Sequence, residues 1–222
     1  MNERDEKYLI DLIGEGEHSR QDFKYEINDA RKIARTLVAF SNSEGGRLLI
    51  GVKDNGNIRG IQSEEEYYMI DAAASLYCKP EIDYTIKRLS VGGKSVLEVN
   101  IKPGENKPYF VYTSEGKWLA YIRNKDEDRL AHFVHLKVWK REKSNKGVYL
   151  KYTGAEKQLL QILDKEKKIS FNGYCKYSGR SRRSASEIFS KLINLGLIKI
   201  NYDQKQVYFE LDNPLPEEIY KT

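Results

Sequence analysis

The stretch QDFKYEINDARKIARTLVAFSNSEGGRLLIGVKDNG, Gln21 to Gly56, decides the fold of the larger part of this chain. Within it Ile33, Ala34, Leu37, Val38 and Ser41 recur along one helical stripe, while Arg31, Lys32 and Arg35 fall on the other side. That is the pattern of an amphipathic helix with one face in a core. Asn28 or Asp29 offers a short side-chain oxygen for the N-cap, and Gly45-Gly46 stops the run. RLLIGVKDNGNIRGI then reads as a buried strand, an Asp-Asn-Gly turn and a short return strand.

The reading extends outward from there. EEEYYMIDAAASLYC is a second helix closed by Pro80, EIDYTIKRLSVGGKSVLEVNI is a hairpin around Gly92-Gly93, and KPYFVYTSEGKWLAYIRN is another around Glu115-Gly116. Residues 1–140 therefore predict an α+β domain with a mixed sheet and two main helices. From His135 onward periodicity fades and charge gathers, which places a linker at 141–152. GAEKQLLQILDKEKK, SFNGYCKYSG and RSRRSASEIFSKLINLGLIKI then give three helices, the last stopped by Gly196, and two strands follow around a turn at Tyr202 to Lys205. Three helices and a hairpin over 153–212 is the order of a winged helix-turn-helix, with 213–222 a loose tail.

Charge is distributed unevenly along this plan. The whole chain carries 38 Lys and Arg against 33 Asp and Glu, a net of +5. Residues 1–150 hold 25 basic and 24 acidic side chains, whereas 151–200 hold 11 and 4, so the positive field belongs to the C-terminal part. An anionic partner, duplex DNA or RNA, is expected there. The third helix of that part opens with Arg180, Ser181, Arg182, Arg183 and Ser184. In a helix-turn-helix these positions meet the bases, where an arginine fork suits guanine O6 and N7 and a serine at a helix N-terminus suits phosphate. Lys199, Tyr202 and Lys205 would let the wing touch the backbone. The alternative is a protein-docking or dimer module whose arginines are merely solvated.

Composition narrows the remaining classes. Hydrophobic residues make up 40% and charged residues 32%, a globular balance, and no apolar run is long enough for a bilayer span. MNERDEKYLI lacks the n-region and apolar core of a secretory signal, which predicts a cytoplasmic protein. Cys78 and Cys175, far apart in sequence, read as reduced thiols. His132 and His135 lack the Cys and carboxylate neighbours of a zinc site and read as packing or surface residues. There is no G-x-S-x-G nucleophile elbow and no P-loop, so no ATP site is expected.

Three carboxylates stand out. Glu17 and Asp22 lie five residues apart on the way into the first strand, and Asp54 ends the strand LLIGVKD. Two or three such oxygens on rigid elements could hold Mg²⁺ or Mn²⁺ for phosphodiester cleavage, with Lys24 or Lys53 offsetting phosphate charge. Equally, Asp54 before Asn55-Gly56 is a common turn residue. Tyr109, Tyr112, Trp118 and Tyr121 fall on predicted strands, as cross-strand core pairs or as a platform for unpaired bases. Arg123 shares a strand face with Tyr121 and could meet phosphate beside it.

QDFK, ARTLVAFSNSEGGRLLIGVKDNGNIRGI, NKPYFVY and AYIRN together resemble the Schlafen AlbA-type domain over about residues 14–135. The resemblance implies a nucleic-acid-binding module, and with a C-terminal winged helix it implies a DNA-binding transcriptional regulator of bacterial type; a homodimer is the expected working form. It also implies a rival. Animal Schlafen proteins include metal-dependent endoribonucleases that cut tRNA, and their acidic positions match Glu17, Asp22 and Asp54, Asp22 standing where Glu is more usual. Their substrate groove is formed by two lobes, which two copies of this chain would supply. A protein-interaction adaptor is the third possibility.

Overall fold

The computed structural model describes residues 3–144, 153–203 and 206–215. They divide into two compact units, Met1–Ala131 and His132–Thr222. In the first, the chain runs through α1 (Glu3–Gly14), β1 (Gln21–Lys24), α2 (Ala30–Asn42), β2 (Gly46–Ile50), α3 (Glu65–Leu76), β3 (Cys78–Lys79), β4 (Tyr84–Val91), β5 (Lys94–Ile101), β6 (Phe110–Tyr112), β7 (Trp118–Leu119), β8 (Tyr121–Asn124) and β9 (Glu127–Leu130). The main sheet has the order β1-β2-β5-β4, with β1 parallel to β2 and the other pairs antiparallel, so it is mixed. β3-β6-β7 and β8-β9 form two smaller sheets.

Strand alternation divides the hydrophobic residues between the faces of the main sheet. Leu48, Ile50, Leu97 and Val99 join Ile33, Leu37 and Phe40 of α2 in one core. Leu49, Leu89 and Val96 join Leu9 and Leu12 of α1 in the other. Asp29 caps α2, its Oδ1 accepting from the Arg31 N–H at 2.8 Å. The Gly-Gly break has a geometric cause at both positions. Gly45 has φ +72°, and a Cβ on Gly46 would run into the Phe40 ring and lie 2.8 Å from the Arg20 carbonyl. Buried Asn42 then stitches the next layer to α2, its Nδ2 donating to the Tyr109 and Tyr121 carbonyls at 2.9 Å each and its Oδ1 accepting from the Tyr109 N–H at 2.8 Å.

The second unit contains α4 (Phe133–Glu142), α5 (Gly154–Glu166), β10 (Lys168–Ile169), α6 (Phe171–Ser178), α7 (Arg182–Asn194), β11 (Ile198–Tyr202) and β12 (Val207–Leu211), with the antiparallel sheet order β10-β12-β11. Leu159, Leu163, Phe171, Tyr174, Phe189, Leu192 and Phe209 form its core, joined by Val134 and Val138 of α4. A Thr153–Glu156 capping box starts α5, and Ser170 and Ser181 cap α6 and α7.

One boundary differs from the sequence reading. The first unit ends at Ala131 rather than 140, because α4 puts its apolar stripe into the second core and its Lys137 and Arg141 both pair with Glu187 of α7. Residues 145–152 of the expected linker and 216–222 of the expected tail lie outside the described residues. Among the described residues no helix is long and apolar enough to cross a membrane.

Candidate nucleic-acid interface

The N-terminus of α7 concentrates positive charge. Arg182 and Arg183 are its first two residues, Ser181 is the cap, its Oγ accepting from the Ser184 N–H at 3.2 Å, and Arg180 sits just before it. No acidic residue occurs in the first turn. Arg182 and Arg183 are exposed, and Arg180 and Ser184 are half-buried. Arg182 is held in place rather than waving. Its Nη1 donates to Asn172 Oδ1 at 2.6 Å, and its guanidinium lies 5.2 Å from the Phe133 and Phe171 ring centres. An amide and two rings orient the group without cancelling its charge. Arg180 lies beside the Tyr174 phenol and opposes the burial that pushes that phenol up.

The other expected wing contacts are placed differently. Lys199 stands directly across from Glu210 in the β11-β12 register, and its Nζ pairs with Glu210 at 3.3 Å and Asp212 at 3.7 Å. Opposite charges at facing positions attract, so Lys199 is engaged within its own sheet. The Tyr202 hydroxyl accepts from the His132 N–H at 2.8 Å and lies 3.0 Å from His135 Nδ1, which ties β11 to the start of α4. Lys205 lies outside the described residues. Both histidines pack, as the sequence suggests: His132 against Phe133, Phe171 and Phe209, and His135 stacked on Trp139 at 4.9 Å. Burial, helped by the nearby Arg182 charge, pulls the His132 imidazole down to about 4.

In the first unit the structure brings Glu17, Asp22 and Asp54 into one neighbourhood but gives each a separate task. Asp22, 4% exposed on β1, has Oδ2 on Lys24 Nζ and Oδ1 3.4 Å from Arg123 Nη1. Glu17 Oε1 accepts from the Phe23 N–H at 2.9 Å, which holds the loop between α1 and β1. Its carboxyl is raised mainly by burial, with added repulsion from Asp22 and Asp54. Asp54 is exposed in the turn before Asn55-Gly56. The trio does not fit a divalent ion, because Asp22 already faces two cations and Glu17 faces a backbone donor. Among the described residues no group of three His, Cys, Asp or Glu is placed to hold a metal.

Lys24 and Arg123 are likewise spoken for. Lys24 donates to Asp22 and, at 2.8 Å, to the Phe23 carbonyl. Arg123, whose side chain is only 2% exposed, reaches Asp128 Oδ1 at 2.8 Å and the His18 carbonyl at 3.2 Å and lies 4.9 Å over Phe40. It does share a strand face with Tyr121, but α2 covers that face, with Arg35 5.7 Å over the Tyr121 ring. The expected phosphate contact is therefore an internal ion cluster. The neutralising residue, Asp128, also accepts from Thr36 Oγ1 at 2.8 Å, and sequence reasoning does not single it out. The one signal that could have found it is the Arg123-x₄-Asp128 spacing across a two-residue hairpin.

The family described as Schlafen, AlbA_2 matches residues 17–132. That is more than half of the chain, and the chain belongs to this family. Among solved structures, the DIP2311 protein from Corynebacterium diphtheriae aligns at 19% identity and a TM-score of 0.42, over 67% of this chain and 30% of the other. The N-terminal domain of a RecG-related protein from Nitrosomonas europaea aligns at 20% identity and 0.39, over 56% and 88%. This chain thus spans less than a third of the DIP2311 chain it matches.

Proposed function

We propose that this chain is a nucleic-acid-binding protein whose C-terminal unit acts as a winged helix-turn-helix, laying α7 in the major groove of duplex DNA, and that it works as a DNA-binding transcriptional regulator. One observation carries the reading: Arg180, Arg182 and Arg183 crowd the start of α7 with no acid in its first turn. A helix N-terminus is already the positive end of the macrodipole, so each added cation there costs about 0.3–1 kcal/mol. A helix serving only to fill a core would gain from Asp or Glu at those positions. An anion bound there offsets the cost, and the groove edge of DNA supplies phosphate beside guanine acceptors.

Membership of the Schlafen, AlbA_2 family supports nucleic acid as the partner class. A homodimer, presenting two α7 helices to half-sites about 34 Å apart, belongs to the same reading. A metal-dependent ribonuclease built on Glu17, Asp22 and Asp54 has less support, since the Asp22 charge is taken up by Lys24 and Arg123.

Anisotropy titration of the full chain against a mixed-sequence duplex at rising salt tests the proposal. With a slope of about −0.9 per phosphate contact, three arginine contacts predict an affinity loss of about forty-fold between 50 and 200 mM. Affinity flat with salt, or no binding at 50 mM, would contradict it and favour a protein-docking role.

A further inference from the structure

The small sheet β3-β6-β7 sorts its side chains by face. Cys78 pairs with Val111 and Val111 with Leu119, and Cys78 and Val111 are buried in the core. One position along, Tyr112 pairs with Trp118, and the Tyr112 N–H donates to the Tyr77 carbonyl at 2.9 Å. Tyr112 and Trp118 therefore form one rung, and strand alternation turns it away from the buried Cys78–Val111 pair. Tyr77, the C-cap residue of α3, is half-buried against the core. Tyr112 is 36% and Trp118 43% exposed, with ring centres 5.1 Å apart and planes at 48°.

This outcome splits the strand aromatics. Tyr109 is buried and Tyr121 lies under Arg35, as core and layer contacts. Tyr112 and Trp118 stay open, side by side. The rung is also flanked by cations. The Arg31 guanidinium lies 4.8 Å from the ring centre of Tyr77, whose carbonyl accepts from Tyr112, and exposed Lys79 pairs with Phe110, two residues before Tyr112 and so on the same face of β6. Adjacent open rings beside two cations match the alternation of base and phosphate in a single strand, where each stacked base contributes about 1–3 kcal/mol whatever its sequence. A protein partner would be served by the rings but gives no reason for the cations.

We propose that the Tyr112–Trp118 rung is a stacking platform for unpaired bases of a single-stranded nucleic acid, with Arg31 and Lys79 meeting its phosphates. The site lies in the first unit and does not depend on the duplex-binding role of α7. It predicts that the full chain binds fluorescein-labelled twelve-nucleotide oligo(dT) or oligo(U). Tyr112→Ala and Trp118→Ala should each weaken that binding about tenfold or more, a loss of about 1.4 kcal/mol per tenfold, while Tyr112→Phe and Trp118→Phe stay within about threefold of the parent. If an alanine variant melts early, Lys79→Glu, on the exposed face, should cost about tenfold instead. Duplex affinity should be unchanged in all of these and weakened about tenfold or more in Arg182→Ala/Arg183→Ala, so the two sites fail separately.

Absence of oligonucleotide binding by the parent chain overturns the proposal. So do unchanged affinity in folded alanine variants and equal losses in the phenylalanine variants. A shift in sedimentation on alanine substitution without a change in single-strand affinity would make the face a contact between copies, which also overturns it.

Discussion

Arg123 and Asp22, 101 residues apart in sequence, meet at 3.4 Å in the interior of the first unit, where β8 and β1 are brought together under Phe40. Asp128 completes the cluster at 2.8 Å from the same guanidinium nitrogen. Two buried carboxylates thus depend on one buried arginine, with Lys24 at the rim.

Arg123→Met should be strongly destabilising for that reason. Removing one member of a buried ionic cluster strands its partners and costs about 3–5 kcal/mol. The double variant Arg123→Met/Asp128→Asn should recover part of the loss, because the orphaned charge goes with its partner. Urea unfolding followed by Trp118, the tryptophan of the first unit, measures both. A loss under about 1 kcal/mol in the single variant would show that Asp22 and Asp128 are well solvated without Arg123.

The depressed His132 imidazole gives the second unit a pH dependence of definite sign. In the folded unit the ring stays neutral down to about 4, whereas in the unfolded chain it takes a proton near 6.5. The His132 contribution to stability is therefore level above about pH 6.5 and is lost progressively as pH drops towards 4. Trp139, buried in the second unit, reports the transition in a Trp118→Phe background. His132→Asn keeps a side-chain acceptor at the α4 cap and should flatten the curve between pH 6.5 and 4. An unchanged curve in that variant would assign the dependence to another group.

Gly46→Ala tests the glycine break. The added methyl meets the Phe40 ring and the Arg20 carbonyl, neither of which can retreat from the α2–β2 junction. Overpacking of this kind costs about 1–3 kcal/mol. Gly92→Ala, where a Cβ meets nothing but φ is +55°, should cost about 1 kcal/mol from backbone strain alone. Equal losses in a thermal or urea series would mean that the junction relaxes around the methyl.

The features of the fold legible in the sequence are those that local pattern carries. The α2 stripe, its Asp29 cap, the Gly45-Gly46 stop and the Gly92-Gly93 hairpin rest on residues a few positions apart, and periodicity finds them. α1 escapes a periodicity reading because only Leu9 and Leu12 are buried in the second core face, with Ile13 half-buried beside them and Tyr8 and Ile10 exposed among charged residues. α4 is hidden in the same way, since Val134 and Val138 are its main core contacts amid Lys and Arg. The binding residues are hardest to read where the deciding partner is distant or set by register. Arg123 looks like an exposed phosphate ligand until Asp22 and Asp128 arrive, and Lys199 looks free until the strand register puts Glu210 opposite. Arg182 is legible as a cation but not as one braced on Phe133 and Phe171, which come from two other helices.

The most direct test of the central claim is duplex affinity of Arg182→Ala/Arg183→Ala against the parent chain at 100 mM salt, with circular dichroism to confirm the fold. A loss of about tenfold or more is expected, with a salt slope shallower by about two, one for each phosphate contact removed. Affinity and slope equal to those of the parent chain would contradict it and move the DNA-binding surface away from α7.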